Sequence, residues 1–305
     1  MAVEADGAEE KFKVVCSVIQ ELGLPLNPDK VQEPSDVMAI MAITVDVVAK
    51  KTLSIPPVKM IEICEAVENF CKKRYMCKRE LQSLLGCLLY ISKVIRPVRG
   101  FLNRMLRLLR QIQDAKREKI NIEFYRDLCW FRDFSKQFNG CTSFANWQGP
   151  SEVNVFIDVS LKGLGAVCED QFYSVPLPHG FAKSEHIVVF EMINVLIALR
   201  IWGKGWYNKT VTINCDNKAV VDIHENNITR DGQLGVILRE ILMLQARSNV
   251  HLKVVQVLGE CNPVADSLSR VHMEKCFVCI NQLRTQGFVE CEVGMKHFHL
   301  NYISL

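Results

Sequence analysis

Four carboxylates stand in or beside stretches that read as buried structure. Asp158 interrupts the apolar strand pattern Val155-Phe156-Ile157-Asp158-Val159, where a charge is costly unless it lies at the strand end, is paired, or binds a cation. Glu191 sits i+3 from Val188 and i−4 from Val195, inside the helical stripe Val188, Met192, Val195, Leu199 and Trp202. Asp216 ends the strand-like run Val211-Thr212-Ile213-Asn214-Cys215, and Asp266 follows Asn262-Pro263-Val264-Ala265 in the first turn of a helix. Taken singly, each has a structural reading: an edge position for Asp158, a solvated helix position for Glu191, an N-cap for Asp216, a dipole-matched acid for Asp266. Taken together they are acids crowded at one sheet edge, which repel unless cations neutralise them. Two Mg²⁺ ions about 4 Å apart, one serving the attacking water and one the leaving oxygen, are the usual solution for phosphodiester cleavage.

The elements that must hold these acids read as strand, strand, strand, helix, strand, helix, helix, strand, helix. The strands are expected at 153–159, 163–168, 171–175, 210–215 and 251–258, and a helix capped by Ser184 runs to about Trp202. Asn262 is read as a cap, with Pro263 at the first helical position. Three strands followed by helices interleaved with two more make a mixed-sheet α/β domain. Upstream, helices are expected near 12–22, from Lys59, through Leu81–Leu89, at 101–113 and at 120–140, with strands within 37–48.

The net charge of +3 conceals an asymmetry. Residues 72–119 hold fourteen Lys or Arg against three acids, whereas 151–272 holds eleven against thirteen. Arg104, Arg107 and Arg110 fall at i, i+3 and i+6, within an arc of about 120° on one helix side. A solvated helical face is the bland reading; the excess of bases favours a phosphate-binding surface. Its members are Lys72, Lys73, Arg74, Lys78, Arg79, Arg96, Arg99, Arg104, Arg107 and Arg110.

With 305 residues, 49% hydrophobic and 23% charged, the chain is neither disordered nor collagen-like. No apolar run reaches about 18 residues and the start is acidic, so neither a membrane span nor a signal peptide is expected; the expected setting is intracellular, cytoplasmic or nuclear. Thirteen scattered cysteines suit reduced thiols. Cys276, Cys279, Cys291, His297 and His299 lack a standard finger spacing, so chance clustering is preferred over zinc.

Several stretches resemble a family. Val155-Phe156-Ile157-Asp158-Val159-Ser160, Phe190-Glu191-Met192-Ile193, Asn214-Cys215-Asp216-Asn217-Lys218-Ala219-Val220-Val221 and Asn262-Pro263-Val264-Ala265-Asp266-Ser267-Leu268-Ser269-Arg270 resemble, in order, the four active-site blocks of retroelement ribonuclease H domains. Upstream, Leu22-Gly23-Leu24-Pro25-Leu26-Asn27-Pro28-Asp29-Lys30, Leu53-Ser54-Ile55-Pro56-Pro57-Val58-Lys59 and Arg79-Glu80-Leu81-Gln82-Ser83-Leu84-Leu85-Gly86 are similar to the palm end and thumb of reverse transcriptases of DIRS-type (Ngaro-like) retrotransposons.

The resemblance covers about 20–272. It implies a palm remnant at 1–57, a basic helical thumb at 58–119, a connecting helix and linker at 120–150, an RNase H-like mixed five-stranded sheet with flanking helices at 151–272, and a tail at 273–305. It implies a DEDD tetrad of Asp158, Glu191, Asp216 and Asp266 holding two Mg²⁺ ions, with an RNA–DNA hybrid as partner. No Asp-Asp dipeptide occurs, so polymerisation is expected only with a separate fingers-palm polypeptide. Other departures are Ile40-Met41-Ala42 for Phe-Leu-Gly, Gln256-Val257-Leu258-Gly259 for His-Val-Pro-Gly, and Ile157 for a threonine. A catalytically silent nucleic-acid-binding protein is the alternative.

Overall fold

The computed structural model describes residues 7–48, 51–95, 98–114, 116–138, 140–143, 151–177, 187–229 and 231–299. After helix α1 (Ala8–Glu21), the apolar stretch forms β1 (Val37–Ile40) and β2 (Ile43–Asp46), joined through Met41 and Ala42 with φ of 51° and 60°. A two-residue hairpin with both φ values positive favours glycine; Ala42 stands where the resembled family has one. β3 (Thr52–Ser54) lies between β2 and β6 (Cys141–Ser143), giving an antiparallel sheet in the order β1-β2-β3-β6. The sequence shows neither β3 nor β6, because three residues carry too little alternation.

Pro57 opens α2 (Pro57–Cys71) at its first position, where its missing N–H costs nothing. β4 (Tyr75–Met76) precedes α3 (Lys78–Val94), whose start is held by Glu80 accepting from the Cys77 N–H at 2.8 Å. α4 (Arg99–Gln111), β5 (Glu118–Lys119) and α5 (Ile122–Gln137) complete this half. Its centre is aromatic: Trp130 stacks on Phe101 at 3.7 Å between centroids and on Phe134 at 5.0 Å.

The second half contains β7 (Val153–Val159), β8 (Gly163–Cys168), β9 (Gln171–Pro176), α6 (Ile187–Trp202), β10 (Thr210–Cys215), α7 (Lys218–Asn226), α8 (Gly232–Ser248), β11 (His251–Gln256) and α9 (Pro263–Ser269). These are the five strands and interleaved helices expected, an α/β architecture. The strand order is β11-β10-β7-β8-β9; β7, β8 and β9 are antiparallel, and β7, β10 and β11 parallel. The tail extends the sheet: after α10 (Glu274–Thr285), β12 (Val289–Glu290) pairs in parallel with β9, making six strands rather than five. Ser184, read as a helix cap, lies outside the described residues, as do Gln148, Gly149 and Pro150 of the expected boundary. Among the described residues, no helix is long and apolar enough to cross a membrane.

The two halves meet through a buried ion cluster. Asp127 of α5 accepts from Arg239 of α8 at 2.9 Å, and Arg104 of α4 approaches its other oxygen at 3.6 Å. Asp127 is 1% exposed, and burial, outweighing both arginines, pushes its carboxyl up to about 6.

Candidate active site

β7 and β10 run in parallel with Asn214 opposite Phe156. Extending that register by two residues brings Asp216, just past β10, level with Asp158 near the end of β7. Asp158 pairs across β8 with Gly165, and a Cβ on Gly165 would lie 2.5 Å from both the Ala265 carbonyl oxygen and the Ser269 amide nitrogen. The missing side chain is what lets α9 lie directly on β8, carrying Asp266 to the same end of the sheet.

Glu191 is 2% exposed. Its helix is buried nearly all round, with Val189, Phe190, Ile193, Leu196 and Ile197 covered as fully as the expected stripe. A helix apolar on nearly every side belongs inside, so Glu191 is the one acid of a core element whose other charge, Arg200, sits in its last turn. Its Oε2 accepts from the Cys215 thiol at 3.7 Å.

Uncharged amides lock the elements together, and the sequence reading missed them. Asn194, one turn beyond Glu191, donates to the carbonyls of Asp158 and Gly165 and accepts from the Tyr173 hydroxyl at 2.6 Å. Asn262 does not cap α9 with its side chain; its amide donates instead to the Ile157 carbonyl at 2.8 Å, tying α9 to β7. The N-cap of α7 is Asn217, which accepts from the Ala219 N–H, leaving Asp216 free of that duty and exposed.

The electrostatics link Asp158 with Glu191, Asp216 and Asp266, whereas Asp266 answers chiefly to its own basic neighbours, and neither Asp158 nor Asp266 belongs to the group of mutually close donor atoms. Burial, then the charges of Asp158 and Asp216, push the Glu191 carboxyl up to about 9. Burial also raises Asp158 to about 6, against the Ser269 hydroxyl and Arg270, with Asp216 and Asp266 adding repulsion. Asp266 differs: the Arg270 hydrogen bond, with help from Lys275, holds it below the usual carboxylate range. Among the described residues, the donor atoms lying within 4.8 Å of one another belong to Glu191, Cys215 and Asp216. Cys215 was not foreseen there; its signal was only adjacency to Asp216.

Of the expected basic surface, three members are committed inside the protein. Lys73 pairs with Glu80 at 2.5 Å, Lys78 with Asp114 at 2.8 Å, and Arg104 with Glu123 at 2.6 Å. Lys72, Arg74, Arg79, Arg99, Arg107 and Arg110 are exposed. Arg96 lies outside the described residues. In the tail, Cys276 is buried against the Leu268 carbonyl and Cys279 faces the Val264 carbonyl.

No protein-family model and no curated protein matches the chain. Among solved structures it is similar to a foamy viral protease-reverse transcriptase dRH in complex with double-stranded DNA, at 12% identity and TM-score 0.36, covering 85% of this chain and 44% of that one. It is similar to a foamy viral protease-reverse transcriptase in complex with RNA/DNA hybrid, at 12% identity and TM-score 0.34, covering 85% and 34%. A third, the foamy viral protease-reverse transcriptase in complex with double-stranded DNA, has 11% identity and TM-score 0.34, covering 85% and 53%. The chain therefore spans 34% to 53% of the length of these chains.

Proposed function

We propose that this chain is a reverse transcriptase thumb and RNase H region of DIRS type, and that it performs divalent-cation-dependent endonucleolytic cleavage of RNA in RNA–DNA hybrids. The observation that carries the reading is geometric: Glu191, buried in α6, and Asp216, just past β10, bring carboxylate oxygens within 4.8 Å of each other and of the Cys215 thiol, with buried Asp158 level with Asp216 at the end of β7. Burying carboxylates together is unfavourable unless something neutralises them. Hard oxygen donors in such a group fit Mg²⁺, and the raised Glu191 carboxyl marks a position where a cation would take the place of a proton.

In this reading Asp158, Glu191 and Asp216 hold the ions and Asp266 completes the second position. Bound ions supply Lewis-acid activation of the attacking water and of the leaving oxygen. The chain's own part is placement: Asn194 and Asn262 fix the strand ends, and Gly165 admits α9. Exposed Lys72, Arg74, Arg79, Arg99, Arg107 and Arg110 grip the substrate backbone, with RNA read through its 2′-hydroxyls. Primer extension would need a separate fingers-palm polypeptide.

A second reading, a silent nucleic-acid-binding protein, is favoured by one observation: both Asp266 oxygens are already engaged by Arg270 and Lys275. Purified protein on a labelled hybrid decides between the two. Cleavage with Mg²⁺ that is lost with EDTA and in Asp158→Asn supports the nuclease; hybrid binding with no cutting at any Mg²⁺ concentration supports the binder.

A further inference from the structure

α9 and α10 are joined by a short turn in which the Met273 N–H donates to the Arg270 carbonyl at 3.1 Å. α10 is then pinned from below: the Cys276 thiol meets the Leu268 carbonyl at 3.7 Å and the Ser174 hydroxyl at 3.4 Å. Farther along the tail, Arg200 of α6 donates to the His297 carbonyl at 2.7 Å. The docked tail therefore carries Lys275 back over the first turn of α9.

The result is a carboxylate with a cation on each oxygen. Lys275 Nζ lies 2.5 Å from Asp266 Oδ2, while Arg270 reaches Oδ1 with Nη2 at 2.5 Å and Nε at 3.0 Å. Arg270 also acts electrostatically on Asp158, so its charge is felt by two of the four acids.

We propose that Arg270 and Lys275 occupy the second cation position of this site, so that the chain takes one divalent ion readily among Asp158, Glu191 and Asp216, and a second beside Asp266 only by displacing Lys275. The proposal rests on the metal-binding reading above. The Lys275 and Asp266 side chains are 54% and 22% exposed, and an exposed ion pair is weak. Lys275 is thus a displaceable guard, and divalent-ion concentration sets whether one or two ions are held.

Mn²⁺ binding to the full chain, followed by the electron paramagnetic resonance signal of free Mn²⁺, gives stoichiometry without reference to turnover. The unmodified chain is expected to bind one ion tightly and a second more weakly. Lys275→Met strengthens the second about three- to fivefold and leaves the first unchanged, whereas Lys275→Arg, which keeps the charge, does not. Near-ultraviolet circular dichroism confirms that the variants are folded. Two ions of equal affinity in the unmodified chain, or a second affinity indifferent to Lys275→Met, overturns the guard while sparing the metal site. Binding that is absent, or that Asp158→Asn leaves intact, overturns the metal site and the guard with it.

Discussion

The side-chain amide of Asn194 donates to the backbone carbonyl of Asp158 at 3.0 Å, and the same nitrogen reaches the Gly165 carbonyl at 3.1 Å. One buried amide therefore staples α6 to adjacent positions on β7 and β8. Asn194→Ala strands two buried carbonyls and the Tyr173 hydroxyl, and should cost about 2–4 kcal/mol in urea unfolding. Tyr173→Phe removes only the hydroxyl and should cost about 1–2 kcal/mol. Equal losses would mean that the strand carbonyls are not what Asn194 serves.

Gly165 and Gly86 make a matched pair. A methyl at Gly165 would press on two backbone atoms of α9, which cannot swing aside as a side-chain tip can. Gly165→Ala should lower stability by about 2 kcal/mol or more and shift α9, weakening divalent-ion binding. Gly86 lies within α3 with open space where a Cβ would point, so Gly86→Ala should stabilise by about 0.5–1 kcal/mol. Thermal unfolding of the two variants reads opposite signs.

What the sequence makes legible follows from how local each signal is. The strands from Val153 to Gln256 declare themselves by apolar runs between turns, and Glu191 as the single acid within a helix whose other polar residues are only Asn194 and Arg200. Arg270 at i+4 from Asp266 is visible too, but Lys275 reaches Asp266 only because of the turn at 271–273. Asn194 and Asn262 carry no signal of type: their partners, the carbonyls of Asp158 and Ile157, are 36 and 105 residues away. β12, two residues long, has no periodicity to read. Arg104, grouped by spacing with Arg107 and Arg110, is claimed by Glu123 and Asp127 across helices.

That division predicts different behaviour on nucleic acid. Arg107→Ala and Arg110→Ala should each weaken hybrid binding and flatten the dependence of log K on log salt by about one unit per lost phosphate contact. Arg104→Ala should leave the salt slope unchanged and instead lower stability. Binding titrations over a range of salt, alongside unfolding curves, separate the two effects; an Arg104 variant with the flattest slope would reverse the assignment.

Asp127 and Arg239 should be strongly coupled. Asp127→Ala leaves Arg239 buried without its main partner and is expected to cost about 3–5 kcal/mol. Removing both as Asp127→Leu and Arg239→Leu should recover much of that loss, because two apolar groups need no partners. A double-mutant cycle in urea gives the coupling, expected at about 1–3 kcal/mol. Additive losses would show that the junction between the halves does not depend on the pair.

The pH dependence of stability tests the acid cluster directly. Glu191 is raised to about 9 and Asp158 to about 6, so the native chain holds protons that the unfolded chain has released. Ion-free stability contributed by these groups is therefore present at low pH and lost as pH rises through the raised values. His224 works in the opposite sense: burial lowers it to about 4, so its contribution is lost as pH falls below about 6.5. Between about pH 6.5 and pH 8 the His224 effect is spent and Glu191 dominates; above that the thiols of Cys71, Cys168 and Cys215, which burial also pushes up, add their own loss. The ion-free melting temperature should fall by several degrees across that window. Millimolar Mg²⁺, which competes with the Glu191 proton for the same carboxylate, should raise it more near pH 8 than near pH 6.5. Glu191→Gln removes the titrating group, and with it both the downward slope and the growth of the Mg²⁺ effect with pH. Parallel melting curves with and without Mg²⁺ across the window would mean that no divalent ion binds the Glu191 carboxylate.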